Sequence, residues 1–322
     1  MFKTARLLAI VSRPEFLPAN SASLILGISW GINPPFDLAW GLAIPATLVF
    51  AIITLVSAAA AQANTMSDYE LDLNDNRKKE LVLAMNSLGQ NKLKSIMIIE
   101  IMSSLALLLA LSLIQEKPAL LLIWVVAVFL AYSYSAPPLR LKSRSWIAML
   151  TLLLVLSVLP ILFVFYSFSS EIDYFFLLFL SGQALIVYGV IVPAEIRDFF
   201  SDKERGIKTM TVRLGLAKAS ILGIALLSIG GVLCGAGFFL KLVYRPHPIL
   251  TIFLLIMAVA HGFVLKKYVQ LYSLSKEYIS SGEQSSIVKI AELSANNPQW
   301  ITLITQTIVF MSLVLIMCKF LP

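Results

Sequence analysis

Two groups of polar and acidic side chains lie at the ends of long apolar segments. The first group is Asn64, Asp68 and Asp72, and the second is Glu195, Asp198 and Asp202, with Asp198 and Asp202 as its main residues. In both groups the main residues recur four positions apart, so a helix would place them on one face. Carboxylates in this arrangement are suitable ligands for a hard divalent cation such as Mg²⁺, which binds phosphates in turn. The spacing therefore predicts a magnesium site for a diphosphate substrate.

Basic side chains accompany these carboxylates. In the stretch PAEIRDFFSDKERGIKT, cations are interleaved with the second acidic group. In the loop YSYSAPPLRLKSRSW, two prolines end an apolar segment, and an extended backbone would point Arg140 and Lys142 the same way. Carboxylates can hold a metal while cations neutralise the bound anion from another side. We expect these basic residues to bind the substrate: Arg140, Lys142, Arg197, Lys203 and Lys208.

Each of these features also has an ordinary structural interpretation. Acidic residues beside a membrane segment are commonly a solvated helix end, and a basic loop is commonly a topological anchor. Arg144 needs no role beyond such an anchor. The interpretation as a solvated helix end is weakened because the second group repeats the pattern of the first.

The composition places most of the 322 residues in a membrane. Apolar residues make up 59% of the chain and charged residues 13%, whereas a soluble domain carries about 25% charged residues. Apolar stretches of about 20 residues, the length that spans a bilayer, recur from end to end. We therefore expect an all-α, polytopic membrane protein that forms one domain over residues 1–322. Its nine transmembrane helices are predicted at 16–33, 38–63, 94–115, 118–134, 146–168, 174–194, 216–241, 248–265 and 298–320.

The distribution of positive charge predicts the orientation in the membrane. Of the 25 Lys and Arg residues, most fall in the loops on one side of the nine-helix arrangement. The exceptions are Lys117, Lys241, Arg245 and Lys319. Because loops rich in Lys and Arg face the cytoplasm, we expect both acidic groups on that side, in the cytoplasmic membrane if the source is bacterial. The pI of about 9.3 follows from this topology and requires no nucleic-acid partner.

The two acidic groups also indicate a weak internal repeat. Each follows an apolar segment, each is followed by basic residues, and four predicted helices separate them. Membrane proteins with such repeats commonly place their site at the interface of the repeats. We therefore expect two similar halves around a central cavity.

The motifs resemble those of the UbiA superfamily of intramembrane aromatic prenyltransferases. The family has an N-D-x-x-D-x-x-x-D motif after its second helix, which Asn64, Asp68 and Asp72 match. Its D-x-x-x-D motif after the sixth helix is matched by Asp198 and Asp202. The stretch IRDFFSDKERGIKTMTVRLG is similar to the family pattern R-D-x-x-x-D-x-x-x-G-x-x-T-x-x-x-R-L-G, and YSAPPLRLK to the segment after helix 4. The likeness extends over nearly the whole chain.

The resemblance implies Mg²⁺-dependent transfer of a polyprenyl group from a polyprenyl diphosphate to a small aromatic acceptor, with membrane lipid around the site. The residues implied to be catalytic and to hold Mg²⁺ are Asp68, Asp72, Asp198 and Asp202. Asn64 and Tyr134 are implied to bind substrate together with the basic residues. The aromatic ring of Tyr134 would face an allylic carbocation.

The acceptor follows from the resemblance only as a class. The R-D-x-x-x-D-x-x-x-G-x-x-T form favours quinone biosynthesis, with dihydroxynaphthoate or 4-hydroxybenzoate as the acceptor. Homogentisate, chlorophyllide, haem and glycerol-phosphate lipids are further acceptors in the family.

The chain departs from the family pattern at three places. Thr65 stands where the family usually has Asp, and Ala194 stands where the second motif often begins with Asn or Asp. The Arg-Pro that commonly follows the first motif is absent, since KKEL occupies this region. Glu195 and Asp75 are the carboxylates that we expect to compensate in the metal shell.

Three other functions stay open on the sequence. A UbiA-type terpene cyclase would quench the carbocation within its own chain. A transporter of anionic or isoprenoid lipids would also use repeated halves with charged helix breaks, but its site would lie near the bilayer midplane. An inactive homologue with a scaffolding role would account for Thr65 and Ala194.

Overall fold

A computed structural model of the chain describes residues 2–33, 37–73, 78–244 and 248–320. Every regular element within these ranges is helical. The α-helices are α1 (Phe2–Ser12), α2 (Leu17–Gly31), α3 (Ile44–Asp72), α4 (Lys79–Leu88), α5 (Gln90–Gln115), α6 (Leu120–Ser135), α7 (Ser145–Leu153), α8 (Leu159–Phe168), α9 (Tyr174–Arg197), α10 (Phe199–Glu204), α11 (Met210–Leu214), α12 (Leu216–Tyr244), α13 (Pro248–Ser281), α14 (Gln284–Ala295) and α15 (Asn297–Phe320). Short π-helical segments precede α3 and α8, at Leu38–Ala43 and Leu154–Val158.

Seven helical stretches in the described ranges are long and apolar enough to cross a membrane. They are Trp40–Asp72, Gln90–Gln115, Ser145–Phe168, Tyr174–Arg197, Leu216–Lys241, Pro248–Ser281 and Gln284–Lys319. The expectation of an all-α protein with several membrane-spanning helices is confirmed. The predicted segments 16–33 and 118–134 fall on the shorter helices α2 and α6, which have 15 and 16 residues. The count of nine and the two similar halves stay predictions, and Asp75 and Arg245 lie outside the described residues.

The chain divides into two compact units. The first comprises Met1–Leu141 and Leu159–Ser170, and it contains the first acidic group on α3. The second comprises Lys142–Val158 and Glu171–Pro322, and it contains the second acidic group at the end of α9. That the chain acts as one membrane domain over residues 1–322 stays a prediction.

In the first unit, α3 is the helix on which the others pack. It contacts α2, α5, α6 and α8. The buried residues of this core are Val49, Ile52, Ile53, Leu108, Leu111, Leu120, Trp124, Phe163 and Val164. Pro45 lies in the first turn of α3, directly after the π-helical segment Leu38–Ala43. The helix continues past the end of the predicted membrane segment, at residue 63, as far as Asp72, so one continuous helix carries both the apolar core and the acidic group, as the spacing predicted.

In the second unit, α9 packs along α12. A side chain on Gly182 would collide with the backbone nitrogen of Cys234, so glycine at this position allows the two helices to approach closely. Asp173 caps the start of α9, because its Oδ1 accepts a hydrogen bond from the Phe176 N–H at 2.6 Å. The core below the acidic group contains the buried residues Tyr188, Val192, Ile196, Met210, Leu216, Ala219, Leu226, Leu271 and Ile290.

Pro193 lies inside α9, about one turn before the second acidic group. Because proline has no N–H, the Gly189 carbonyl has no donor four residues later in the helix. The Tyr268 hydroxyl of α13 donates to this carbonyl at 2.9 Å, and Asn297 Nδ2 donates to the neighbouring Val190 carbonyl at 2.7 Å. Backbone groups at membrane depth must be satisfied within the protein. The helices α13 and α15 therefore complete the hydrogen bonding of the helix that leads to the second acidic group.

Replacing Tyr268 by Phe should lower the free energy of unfolding by about 1–2 kcal/mol, because the buried Gly189 carbonyl loses its donor. The measurement is thermal or denaturant unfolding of the detergent-solubilised protein. Tyr272→Phe is the matched control, since it removes a partly buried hydroxyl one turn further along α13. Equal destabilisation by both variants would mean that the hydrogen bond to Gly189 makes no specific contribution to the free energy of unfolding.

Candidate active site

The first acidic group lies on the last turns of α3. Asp68 and Asp72 are 8% and 3% exposed, and Asn64 is half-buried. The three side chains recur at one-turn spacing along the helix. Since a buried carboxylate is costly without a cation or hydrogen-bond donors, the neighbours of these residues indicate what the group can bind.

Each buried carboxylate of this group has a basic partner. Arg140 Nη2 lies 3.5 Å from Asp68 Oδ1, and Lys78 Nζ lies 2.6 Å from Asp72 Oδ1. The two cationic side chains are themselves 40% and 34% exposed. Each pair therefore combines a shielded anion with a cation that is accessible to another anion.

Asn64 is connected to α6. The Ser135 hydroxyl donates to Asn64 Oδ1 at 2.7 Å, and Ser135 is almost fully buried. Tyr134 precedes Ser135 on α6 and is half-buried. The bond orients the Asn64 amide and joins the polar end of α3 to the C-terminal end of α6.

The sequence led us to expect an extended backbone in the loop after α6, which would point Arg140 and Lys142 the same way. The structure does not have this extended backbone. Leu141–Ser143 forms a 3₁₀ turn, and Arg140 has a φ of 39°, in the left-handed region. The Arg140 N–H donates to the Ala136 carbonyl at 3.0 Å, and Leu141 is 8% exposed. The expected extended backbone is wrong, because the chain turns at Arg140 and again at Leu141–Ser143. A non-glycine residue with this φ is strained and is held by its surroundings.

The second acidic group lies where α9 ends. Asp198 follows the last residue of α9, and Asp202 is on α10. The Asp202 N–H donates to the Asp198 carbonyl at 2.9 Å, which keeps the one-turn spacing across the junction. The Arg197 guanidinium donates to the two carboxylate oxygens of Asp198 at 3.1 and 3.2 Å. Arg197 therefore lies directly against a carboxylate that the sequence predicts as a metal ligand.

Asp202 lies in a negatively charged environment. Its pKa is raised to about 6, first by burial and then by the charges of Asp198 and Glu195. Arg205 and Lys142 act in the opposite direction and lower this pKa. Carboxylates that repel one another in this way are stabilised by a bound cation.

Lys208 belongs to the segment that follows α10. Its carbonyl accepts two hydrogen bonds from Ser145, at 3.0 Å from the backbone N–H and at 2.8 Å from the hydroxyl. Gly206 has a φ of 68° and turns the chain after α10, a conformation that glycine adopts without strain. The Lys208 side chain is exposed. The start of α7 therefore fixes the backbone from which Lys208 projects.

Glu195 receives hydrogen bonds on both carboxylate oxygens. The Tyr188 hydroxyl donates to Oε1 at 3.0 Å. The backbone N–H and the hydroxyl of Thr211 donate to Oε2 at 3.2 and 2.9 Å. Glu195 therefore connects α9 to α11, and the oxygens that a metal would need already have protein donors.

The side chain of Lys203 is exposed, and its Nζ lies 6.0 Å from the centre of the Phe199 ring.

The residues predicted from the sequence to form the site are divided between the two units. The set in the first unit is Asn64, Asp68, Asp72, Tyr134 and Arg140. The set in the second unit is Lys142, Arg197, Asp198, Asp202, Lys203 and Lys208.

Four partners of these residues have no role assigned from the sequence: Lys78, Ser135, Ser145 and Thr211. Lys78 and Ser135 could have been found from the sequence, since they stand close to residues already predicted to form the site. Ser145 and Thr211 could not have been found in this way, because their contacts depend on which helices pack against one another.

The donor set of each acidic group fits Mg²⁺ that arrives with a phosphorylated ligand. In the described part of the chain, no three His, Cys, Asp or Glu side chains are grouped closely enough to hold a metal by themselves. Mg²⁺ does not require such a cage, because it commonly binds one or two carboxylates together with water and substrate phosphates. Two carboxylates at one-turn spacing meet this requirement in each group.

Comparison with known families decides the identity. The model of the UbiA prenyltransferase family matches residues 22–278, most of the chain and all of both acidic groups. The chain belongs to the UbiA prenyltransferase family. It is therefore a prenyltransferase and a multi-pass integral membrane protein, and the resemblance seen in its motifs is confirmed.

Solved structures of the UbiA family share this fold. A digeranylgeranylglyceryl phosphate synthase matches with a TM-score of 0.67 and 15% identity, over 97% of this chain and 99% of that one. A UbiA homologue from Archaeoglobus fulgidus, bound to DMAPP and Mg²⁺, matches with a TM-score of 0.64 and 18% identity, over 96% and 99%. A homologue from Aeropyrum pernix K1 matches with a TM-score of 0.64 and 16% identity, over 90% and 98%. Comparison with curated protein sequences gives no significant match.

One departure from the UbiA motifs, at Thr65, has a local structural reason. Thr65 is 2% exposed, and its hydroxyl donates to the Ala61 carbonyl at 2.9 Å. An Asp at this position would bury a carboxylate where a threonine is already satisfied. Ala194 lies within α9, and its carbonyl accepts the Asp198 N–H at 3.1 Å. The Thr65 hydroxyl is therefore satisfied within α3, whereas the backbone bond at Ala194 would form with any residue and does not explain the alanine.

Proposed function

We propose that the chain transfers a polyprenyl group from a polyprenyl diphosphate to an aromatic quinone precursor within the membrane, in a Mg²⁺-dependent reaction. The observation that carries this proposal is the pairing of buried Asp68 and Asp72 with Arg140 and Lys78 in a UbiA-family chain. The arrangement offers anionic oxygens to a metal and cations to a diphosphate. The Archaeoglobus fulgidus homologue bound to DMAPP and Mg²⁺ supports the same class of donor.

The proposal assigns Mg²⁺ to Asp68, Asp72, Asp198 and Asp202. When bound, Mg²⁺ would neutralise the diphosphate and stabilise it as a leaving group. The pKa of Asp202 is raised to about 6 first by burial and then by the charges of Asp198 and Glu195, and a cation bound at the second group would offset both effects.

The basic residues are assigned to binding and neutralising the diphosphate: Arg140, Lys142, Arg197, Lys203 and Lys208. Arg140 and Arg197 already contact carboxylates of the two groups, so a small side-chain rearrangement suffices to reach an anion bound there. Ser135 orients Asn64 beside the first group. Tyr134 is assigned to the allylic carbocation, whose positive charge an aromatic face stabilises.

The aromatic acceptor rests on the sequence pattern R-D-x-x-x-D-x-x-x-G-x-x-T. A glycerol-phosphate lipid is the second candidate, because the similar structures include a digeranylgeranylglyceryl phosphate synthase. A terpene cyclase would use the same diphosphate chemistry without an acceptor. The carboxylates stand at the ends of α3 and α9, which favours a site at the membrane surface over a transport site at the midplane.

The proposal includes nine membrane-spanning helices and places both acidic groups on the cytoplasmic side. The uneven distribution of Lys and Arg among the loops supports this orientation. Cysteine labelling of the exposed residues Glu70 and Glu204, each replaced by Cys in intact cells and in inverted vesicles, measures the sidedness of the two groups.

The central test is an assay of detergent-purified protein with polyprenyl diphosphates, a panel of quinone precursors and glycerol-phosphate acceptors, and either Mg²⁺ or EDTA. Mass spectrometry identifies the products. A Mg²⁺-dependent prenylated aromatic product is expected, and a prenylated glycerol phosphate would move the assignment to the lipid branch. Diphosphate release with a hydrocarbon or alcohol product would replace transfer by cyclisation.

The raised pKa of Asp202 predicts a pH dependence of Mg²⁺ activation. A protonated carboxyl group does not bind Mg²⁺, so protons compete with the metal below the Asp202 pKa of about 6. The Mg²⁺ concentration for half-maximal activity should rise about 10-fold between about pH 7.5 and about pH 5. Lys142→Ala should move this rise to higher pH, because Lys142 lowers the Asp202 pKa. A half-activating concentration that is independent of pH would remove Asp202 from the metal site.

A further inference from the structure

The geometry points to Glu195 as a positioning residue that, through Thr211, holds the segment 206–211 and the Lys208 side chain in place for the diphosphate. Glu195 stands beside the carboxylates of the second acidic group, where it was expected to compensate as a metal ligand. The expected effect on the KM for the polyprenyl diphosphate rests on the proposed function. The contact itself does not.

The hydrogen bonds of Glu195 are divided between two partners, Tyr188 on α9 and Thr211 on α11. Oε2 accepts both donors of Thr211, and Oε1 accepts the Tyr188 hydroxyl. Thr211 and Tyr188 are each 1% exposed. One oxygen of Glu195 is therefore anchored to the core of the second unit through α9, and the other holds the start of α11.

The segment around Lys208 is fixed on both sides. The Lys208 carbonyl accepts two hydrogen bonds from Ser145, and Thr211, three residues later, is bound by Glu195. Within the segment, the Ile207 N–H donates to the Asp202 carbonyl at 2.9 Å. The position of the exposed Lys208 relative to Asp202 therefore depends on two external supports, and Glu195 is one of them.

Glutamine at position 195 separates the hydrogen bonds from the charge. With its amide oxygen in the place of Oε2, Gln accepts both Thr211 donors, while its NH₂ group can donate to the Tyr188 oxygen. Glu195→Gln therefore keeps the support and removes the negative charge. Glu195→Ala removes both, and Thr211→Val removes one bond with little change in volume.

The first test needs no substrate. Hydrogen exchange of the backbone amides of residues 206–211 is measured by mass spectrometry in detergent-solubilised protein. Exchange should be faster than in the wild type by about 10-fold in Glu195→Ala, by less in Thr211→Val, and unchanged in Glu195→Gln. Unchanged exchange in both Glu195→Ala and Thr211→Val would overturn the inference. This outcome is independent of whether the proposed reaction occurs, and Thr211→Val keeps the test valid if Glu195→Ala does not accumulate.

The second test asks whether Glu195 acts through Lys208. Glu195→Ala should raise the KM for the polyprenyl diphosphate about 10-fold, and Glu195→Gln should restore it to near the wild-type value. Adding Lys208→Ala to Glu195→Ala should change the KM by much less than Lys208→Ala changes it alone, whereas Lys218→Ala, an exposed lysine on α12, should have no effect in either background.

Two outcomes would replace positioning by another role. If Glu195→Gln raises the half-activating Mg²⁺ concentration as much as Asp198→Asn does, Glu195 is a metal ligand. If the effects of Glu195→Ala and Lys208→Ala add, Glu195 does not act through Lys208. If the wild type transfers no prenyl group, the proposed function fails, while the hydrogen-exchange result still decides the contact.

Discussion

Replacing either Asp68 or Asp198 by Asn is expected to lower prenyl transfer by about 10²–10³-fold and to leave the protein folded in the membrane. Asn keeps the shape of the side chain but removes the charge that would bind Mg²⁺. Asp68 is paired with Arg140, and Asp198 with Arg197, so each substitution removes an anion from a site that contains both signs of charge. The measurement is the initial rate of product formation, followed by mass spectrometry, at a Mg²⁺ concentration that saturates the wild type.

Matched controls are available on the same helices. Glu70 on α3 and Glu204 on α10 are exposed carboxylates, and Glu70→Gln and Glu204→Gln should retain near wild-type rates. Partial rescue of the Asp variants by higher Mg²⁺ would support metal binding over a structural role. Near-normal rates in both Asp variants would sink the assignment of these residues to catalysis.

Arg140→Ala should raise the KM for the polyprenyl diphosphate about 10-fold, with a smaller effect on kcat, because a charged hydrogen bond to a phosphate oxygen is lost. Alanine retains the Cβ atom, so the unusual backbone conformation at φ 39° is equally strained in both proteins. The effect on KM therefore reports the guanidinium group. Steady-state kinetics with varied donor at fixed acceptor measure it.

Arg144→Ala is the control for Arg140→Ala. Arg144 is exposed and lies in the same loop, and the sequence gives it no role beyond anchoring that loop. Its removal should leave the donor KM unchanged. Equal KM values for Arg140→Ala and the wild type would reduce Arg140 to a topological anchor as well. The donor KM of Arg140→Lys should fall between those of Arg140→Ala and the wild type, because lysine keeps the charge but not the planar donors.

The features that the sequence predicted well depend on local spacing. Apolar segments of bilayer length predicted most of the long helices, and one-turn spacing predicted that Asn64, Asp68 and Asp72 share a helix. The helix α3 runs beyond the predicted membrane segment 38–63 to Asp72, as the one-turn spacing predicted, through the polar residues that bounded that segment. Helical geometry continued through them, since the buried Asp68 and Asp72 have partners on other parts of the chain.

Contacts between distant segments were beyond a single sequence. The Arg140–Asp68 pair joins residues 72 positions apart, and the Ser145–Lys208 bond joins residues 63 apart. Nothing in the spacing of serines or threonines distinguishes these partners from others that face lipid. The hydrogen bonds of Glu195 are a further case, because its partner Thr211 is 16 residues away and the sequence indicated only that Glu195 could compensate in the metal shell.

The support of α9 by later helices has a consequence for how the protein is made. Tyr268 follows Gly189 by 79 residues, and Asn297 follows Val190 by 107, so both donors are synthesised long after the helix that they complete. In a chain inserted from its N-terminus, the carbonyls beside Pro193 are without these partners until α13 and the start of α15 reach the membrane. A truncated chain can therefore contain every residue of both acidic motifs and still lack the hydrogen-bond donors to α9, the helix that leads to the second motif. We therefore expect catalytic activity only after the last helices are in place.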